Sequence, residues 1–351
     1  SVIEITNDTD LPRIDFTDGT GSLLLEPQRT NLYPYSNFYG TGGLVAFSGG
    51  TSSFTATNNY AISPDGTQNA IRFEASIGST SSDRVGLRQL LTMTATDGTL
   101  SFYGKSNTSS NQTIAFHFNG ATRTVVTLTN EWQRFTFTDT SSTVNNAGIE
   151  IRGTYTDTSV DVLLFGFQME QASYATSYIP TNGSTVTRSA DVANNSGNAD
   201  LFNDSEGVLY AEILKKQDDN DNFVLISINN SSDNNDHNTV TVGFDNDDDF
   251  FIRVKANNVI PFYTNDQTAN KDVYYKIALS YKSGDSKIYI NGNSITPNYG
   301  SLSDTFSFGS TLNNLSFDYD GNGVLPFYGN VKCVAVFTEA LTDEQLEKLT
   351  S

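Results

Sequence analysis

From Thr113 to Asn119 the chain reads Thr-Ile-Ala-Phe-His-Phe-Asn, with large apolar residues at every second position. A strand turns successive side chains to opposite faces, so Ile114, Phe116 and Phe118 share one face and Ala115, His117 and Asn119 the other. The same period splits Ile149-Glu150-Ile151-Arg152 and Phe165-Gly166-Phe167-Gln168-Met169-Glu170. Turn clusters such as Ser63-Pro64-Asp65-Gly66 and Thr96-Asp97-Gly98 separate these runs. Short alternating strands cut by turns specify a β-sandwich or jelly roll. The 23 Phe and 17 Tyr, with only two Met, agree, because aromatic side chains suit a pleated, half-buried surface. The expected class is all-β: two sandwich domains in tandem with a short C-terminal helix.

A chain of 351 residues is long enough for two cores. The hydrophobic rhythm stops between Arg188 and Gly207, where Asn194-Asn195-Ser196-Gly197-Asn198 reads as an exposed connector. The predicted organisation is a first domain over residues 1–190, a connector over 191–206 and a second domain over 207–351. Strand patterns resume at Val208–Ile213 and continue through Phe223–Ile228, Val240–Phe244, Tyr274–Tyr281 and Lys287–Ile290. Asn291-Gly292 after the last of these predicts a type I′ hairpin, which needs positive φ at both central residues. Thr342 with Gln345 forms a capping-box pattern flanked by Leu341 and Leu346, so a helix should close the chain.

Forty acids against twenty Lys and Arg give a net charge of −20, which disfavours nucleic acid and anionic membranes as partners. No apolar run approaches the roughly 20 residues that a membrane helix needs, so no membrane insertion is expected. Cys333 stands alone and cannot form an internal disulfide. The chain starts at Ser1 without an initiator Met or a signal-like segment, so a longer parent protein is expected.

The segments Pro12-Arg13-Ile14-Asp15-Phe16 and Leu23-Leu24-Leu25-Glu26-Pro27-Gln28-Arg29-Thr30-Asn31-Leu32 resemble a signature of bacteriophage tail, fibre and other virion-associated proteins. Gln168-Met169-Glu170, Ser173–Thr181 and Thr187-Arg188-Ser189-Ala190-Asp191 resemble the closing segment of the same module, and the stretch between, with Pro64–Thr67 and Glu131–Phe135, is similar to jelly-roll carbohydrate-binding modules. Lys287–Gly292, Phe327–Val331 and Leu341–Leu349 resemble the concanavalin A-like lectin and laminin-G sandwich. The resemblance implies a non-enzymatic glycan-binding or structural module of a phage tail fibre or virion surface appendage, serving host recognition. The alternative is a carbohydrate-binding region of a secreted bacterial polysaccharide-degrading enzyme or adhesin; a third is a virion scaffold that binds no sugar. The expected partners are a polysaccharide or cell-surface glycan and other virion proteins, at the virion surface or outside the cell, with a homo-trimer admitted as the assembly.

Three residue sets are candidates. The non-core faces of the first domain carry Arg88, Tyr103, His117, Glu150, Arg152 and Gln168, a mixture of rings, guanidinium and amide suited to a glycan; an ordinary solvated face is the competing reading. Trp132 is ambiguous by parity, and the resemblance to jelly-roll modules, where this Trp is packed, implies a core position. Glu26, Arg29, Asn31, Glu170, Arg188 and Asp191 are read as a structural polar network tying the entry strand to the closing segment, since buried charges must be paired. Calcium is the one cofactor to consider, as a structural ion on Asp318, Asp320 and Asn322, or near Asp218–Asp221 or Asp245–Asp249. Thirteen acids against two lysines from Asp200 to Phe250 read equally well as a hydrated surface. Catalysis finds little support: the Glu-x-Asp-x-x-Glu set of sandwich glucanases is absent, and His117 and His237 are the only histidines.

Overall fold

The computed structural model describes residues 12–351 apart from 94–96, 119–122, 140–143, 195, 217–222 and 231–237; Asp218–Asp221 and His237 therefore lie outside the described residues. The protein is all-β with one helix, and two compact units divide it. Among the described residues the first unit comprises Gln28–Ser189; the second takes residues 12–27 together with Ala190–Ser351.

The first unit is two five-stranded antiparallel sheets. One runs in the order Val125–Leu128, Gln112–Phe118, Val144–Arg152, Arg84–Met93, Val45–Gly49, and the other Gln133–Asp139, Gly98–Ser106, Ser159–Glu170, Gln68–Ile77, Ser52–Ile62. The alternation seen in the sequence sends Ile114, Phe116, Ile149, Ile151, Phe102 and Phe167 into one buried cluster between them. Each such side chain stabilises the fold by roughly 2 kcal/mol on burial. A two-stranded ribbon, Arg29–Asn31 with Val186–Arg188, joins the two ends of this unit. Trp132, for which the resemblance implies a core position, is only half-buried, with the Lys105 ammonium 6.0 Å from its ring.

The second unit has a seven-stranded and a six-stranded sheet. Asn291 and Gly292 have φ of 48° and 78°, the type I′ turn that the sequence calls for, between Lys287–Ile290 and Asn293–Ser294. The Asp343–Thr350 helix begins at Thr342 with a complete capping box, and Leu346 is fully buried among Val208, Tyr210, Ala278 and Tyr289.

The entry strand departs from its expected place in the first domain. Ser22–Leu25 pairs with Gly329–Phe337 in the seven-stranded sheet, and Ile14–Asp15 pairs with Ser22–Leu25 outside it. Leu25 joins the second unit's core. Three consecutive leucines suit this position because Gly329–Phe337 offers a free edge with apolar Val331 in register with Leu23.

Candidate functional site

In the sheet that begins with Val45–Gly49, core-facing Val85, Leu87, Ile149 and Ile151 force their neighbours outward. The outward residues lie in register as rows. Phe47, Gly86, Glu150 and Ala115 form one row, and Val45, Arg88, Gly148 and His117 the next. Gly49, Arg84 and Arg152 follow on the far side. Four of the six candidate glycan contacts, Arg88, His117, Glu150 and Arg152, thus share one face of one sheet.

Glycine shapes the middle of this face. A Cβ on Gly86 would lie 2.1 Å from the Ile149 carbonyl oxygen and 2.8 Å from the Phe47 ring, and one on Gly148 would lie 2.0 Å from the Leu87 carbonyl oxygen. Only glycine fits either place. The strands that carry Phe47 and His117 are three ladder steps apart, about 14 Å, yet their rings meet with centroids 4.4 Å apart and planes 35° apart. The two side chains reach toward each other over the glycine floor and the rings lie one against the other, Phe47 half-buried and His117 buried. The Arg88 guanidinium lies 4.8 Å from the centre of the Phe47 ring and donates to Asn146 Oδ1 at 3.3 Å. His117 Nε2 lies 2.8 Å from that same oxygen, while its Nδ1 is 3.5 Å from Glu150 Oε2.

Glu150 is fully buried beneath its neighbours. Arg123 and Arg152 both pair with its Oε1, the latter at 3.1 Å, and Arg152 also donates to the Ser81 carbonyl at 3.0 Å. Burial alone would raise the carboxyl's pKa. Hydrogen bonds from His117, Arg123 and Arg152, with the Arg123 charge, outweigh it and hold the group down to about 2. The non-core face is therefore not the solvated outer surface of the competing reading: His117 is only 7% exposed, and long side chains lie along the sheet.

The other two candidates sit elsewhere. Tyr103 belongs to Gly98–Ser106 in the second sheet and packs on Phe165, Tyr178 and the Arg134 guanidinium. Gln168 is completely buried. Its amide donates to Glu170 at 2.7 Å and to the Thr176 carbonyl at 3.2 Å, and its Oε1 accepts the Ile179 N–H at 2.6 Å. It holds the closing segment against the strand. Strand parity identified outward positions but not the sheet that carries them. Sequence reading missed Arg84, Arg123 and Phe47; Arg84 shares parity with Arg88 across Val85 and Leu87, a signal open to view, whereas Phe47 and Arg123 reach the face only through pairing.

The residues of the polar set fall in both units. In the second unit, Arg13 pairs with Glu26 at 2.8 Å and with Asp191, and Asp191 Oδ2 accepts the Glu26 N–H at 2.6 Å. Arg13, absent from the candidate set, is the centre of these contacts. In the first unit, Asn31 is fully buried: its amide donates to the Ile179 carbonyl at 2.9 Å and its Oδ1 accepts the Tyr33 and Met169 N–H groups, both at 3.1 Å. Glu170 accepts from Thr176 and Gln168, all neutral donors, and burial raises its pKa. Arg29 lies over the Tyr174 ring at 5.4 Å, and Arg188 donates to the Ser177 carbonyl at 3.3 Å. The chain changes units between Pro27 and Gln28.

The acidic clusters at Asp245–Asp249 and Asp318–Asn322 make bonds with nearby protein groups. Asp318 Oδ1 and Oδ2 accept the Gly321 and Gly323 amides at 2.6 and 2.8 Å, and Asp320 accepts the Asn322 amide at 3.0 Å. Burial raises the Asp318 pKa. Beside Asp245 the cation is a lysine: Lys215 Nζ donates to the Asp245 carbonyl at 3.0 Å and to Asp248 Oδ1 at 2.7 Å. Among the described residues no group of three or more His, Cys, Asp or Glu side chains is placed to hold a metal ion.

Solved structures that resemble this chain include the Ruminococcus gnavus IT-sialidase CBM40, at 16% identity and a TM-score of 0.37, covering 46% of this chain and 95% of that one. The N-terminal CBM22-1–CBM22-2 tandem of Paenibacillus barcinonensis Xyn10C covers 93% and 96% at 12% identity and a TM-score of 0.29. Mouse laminin α1 domains LG4-5 cover 78% and 92% at 11% identity and a TM-score of 0.29. No curated protein matches the chain. Residues 214–347, most of the second unit's two sheets and its helix, match the family model of the concanavalin A-like lectin/glucanases superfamily.

Proposed function

We propose that the protein is a non-enzymatic glycan-binding module and that the first unit binds sugar on the face built from Phe47, Arg84, Arg88, His117 and Arg152. The observation that carries this reading is the half-buried Phe47 ring, backed by His117 over a glycine floor and flanked by guanidinium groups. A sugar ring presents an apolar face that an aromatic ring accommodates and a rim of hydroxyls that directional donors bond. Hydrolysis is a poor fit. It asks for two carboxyl groups, one with a raised pKa, whereas Glu150 is the one acid in these rows and its neighbours hold it ionised. The lectin-like family match of residues 214–347 is compatible with binding, and that fold serves other roles as well.

The setting we propose is a phage tail fibre or virion surface appendage, on the strength of the Pro12–Leu32 and Ser173–Asp191 segments, with host glycan and other virion proteins as partners. The second reading, a binding region of a secreted polysaccharide-degrading enzyme or adhesin, places the molecule outside the cell as well. No helix among the described residues is long and apolar enough to cross a membrane. The full gene separates the two: a fibre shaft upstream favours the first, a catalytic domain the second.

Calorimetry with host surface polysaccharides tests the site. Phe47→Ala should weaken binding about tenfold, the value of a lost aromatic contact, with the circular dichroism unchanged. Full affinity in a folded Phe47→Ala variant would move the site to the second unit, where the stacked Tyr263 and Tyr299 rings, 4.9 Å apart, are the alternative platform.

A further inference from the structure

The charges of the proposed face are not balanced. Its guanidinium groups are Arg84, Arg88, Arg123 and Arg152, and its one carboxylate is Glu150, already paired with Arg123 and Arg152. Arg84 and Arg88 have no acid within ion-pair distance among the described residues. Both are half-buried, and the Arg88 Nε is shielded from solvent without a hydrogen-bond partner. A half-buried, under-bonded guanidinium is costly unless something supplies the missing acceptor. The location sharpens the point: in a chain of net charge −20, both stand on one strand beside the Phe47 ring.

Resting on the glycan-binding reading above, we infer that the sugar is anionic: an oligosaccharide whose carboxylate or sulfate groups are taken by Arg84 and Arg88 while a ring lies on Phe47. The planar guanidinium fork pairs with carboxylate or sulfate oxygens through two parallel N–H donors. Arg84 and Arg88 are four residues apart on one strand, so their backbones are about 14 Å apart. One sugar ring does not span that distance; two acid groups on separate residues of one glycan do. The acidic remainder of the molecule repels polyanions in general, so acidic glycan is held only where this face overrides the net charge.

The experiment is calorimetry on the full chain with four probes: polygalacturonate, its carboxyl-reduced neutral form, dextran sulfate and neutral dextran. Polygalacturonate or dextran sulfate should bind and the two neutral polymers should not. Which of the two acidic polymers binds more tightly assigns carboxylate or sulfate as the source. Arg88→Gln and Arg84→Gln should each lower that affinity about tenfold or more, the value of a lost charge-assisted hydrogen bond. The affinity should also fall with added salt. Equal binding of polygalacturonate and its reduced form, lost in Phe47→Ala but kept in both glutamine variants, would overturn the acidic ligand and leave the face as a neutral-glycan site. Binding that survives all three substitutions in folded protein would overturn the site and this inference together.

Discussion

The two units treat charge in opposite ways. From Gln28 to Ser189 nine Lys and Arg meet ten Asp and Glu, a near-neutral module; the rest of the chain has eleven against thirty. Each holds a buried ion of opposite sign among partners. The first unit encloses Glu150 under Arg123 and Arg152. The second encloses Lys215, 2% exposed, between Asp248 and the Asp245 carbonyl. In both, a buried ion is tolerated because it is paired and hydrogen-bonded. What is left at the surface differs: among the described residues, Arg84 and Arg88 stand without an acid beside them on one unit, and carboxylates are in excess on the other. Composition averaged over the whole chain hides this, and a net charge of −20 says nothing of a local cationic face.

The largest test of this division removes the residues before Gln28. The second unit then loses Leu25 from its core and the Ser22–Leu25 edge strand with its Asp15–Asn330 and Ser22–Asn330 hydrogen bonds. The expected loss is roughly 5 kcal/mol from one buried leucine and a few ladder bonds. Hydrogen exchange should show protection falling in Gly329–Phe337 and staying intact in Gln112–Phe118. Loss of protection in the first unit instead would return the entry strand to the domain where the sequence put it.

Next in size is the buried acid. Glu150→Ala leaves two arginines and His117 crowded without their counter-ion and should cost about 3 kcal/mol. Acid titration of the parent reads the same group. Its carboxyl sits at about 2 in the folded protein against an ordinary 4.5, so its contribution is present above pH 4.5 and lost as pH falls toward 2. Denaturant titrations at stepped pH should show a drop over that window that is smaller in Glu150→Gln. An identical acid profile in parent and variant would mean that Glu150 is not held by these cations.

Smallest is the mirror-image change in the second unit. Lys215→Met keeps the apolar stem, and Asp248 retains Lys271 at 3.0 Å, so the expected cost is about 1 kcal/mol. A loss as large as that of Glu150→Ala would erase the contrast between a redundant and an essential buried pair.

Local rules carried well where their partners are close in the chain. The helix cap at Thr342 needs only Gln345, and the Asn291-Gly292 turn needs only its own dihedral preference. Strand parity fixed which side of its own strand each residue takes: Glu150 stands opposite Ile149 and Ile151, as alternation requires. The all-β class follows from the same arithmetic repeated along the chain.

What alternation leaves open is which strands become neighbours, because parity is a property of one strand and a site is a property of several. Arg88 and Tyr103 are both outward, yet pairing sends one to the glycine-floored sheet and the other to its counterpart. Phe47 becomes half of a ring pair only after three ladders bring it into line with His117. Leu23 to Leu25 announces a buried strand from its composition alone, but the edge it joins lies some three hundred residues on, at Gly329–Phe337. The sequence by itself determined the element types and the inward or outward sense of each residue, since those depend on backbone stereochemistry over a few residues. The membership of the entry strand and the gathering of arginines around the Phe47 ring were decided by tertiary structure, because both depend on pairings between distant segments that no local period encodes.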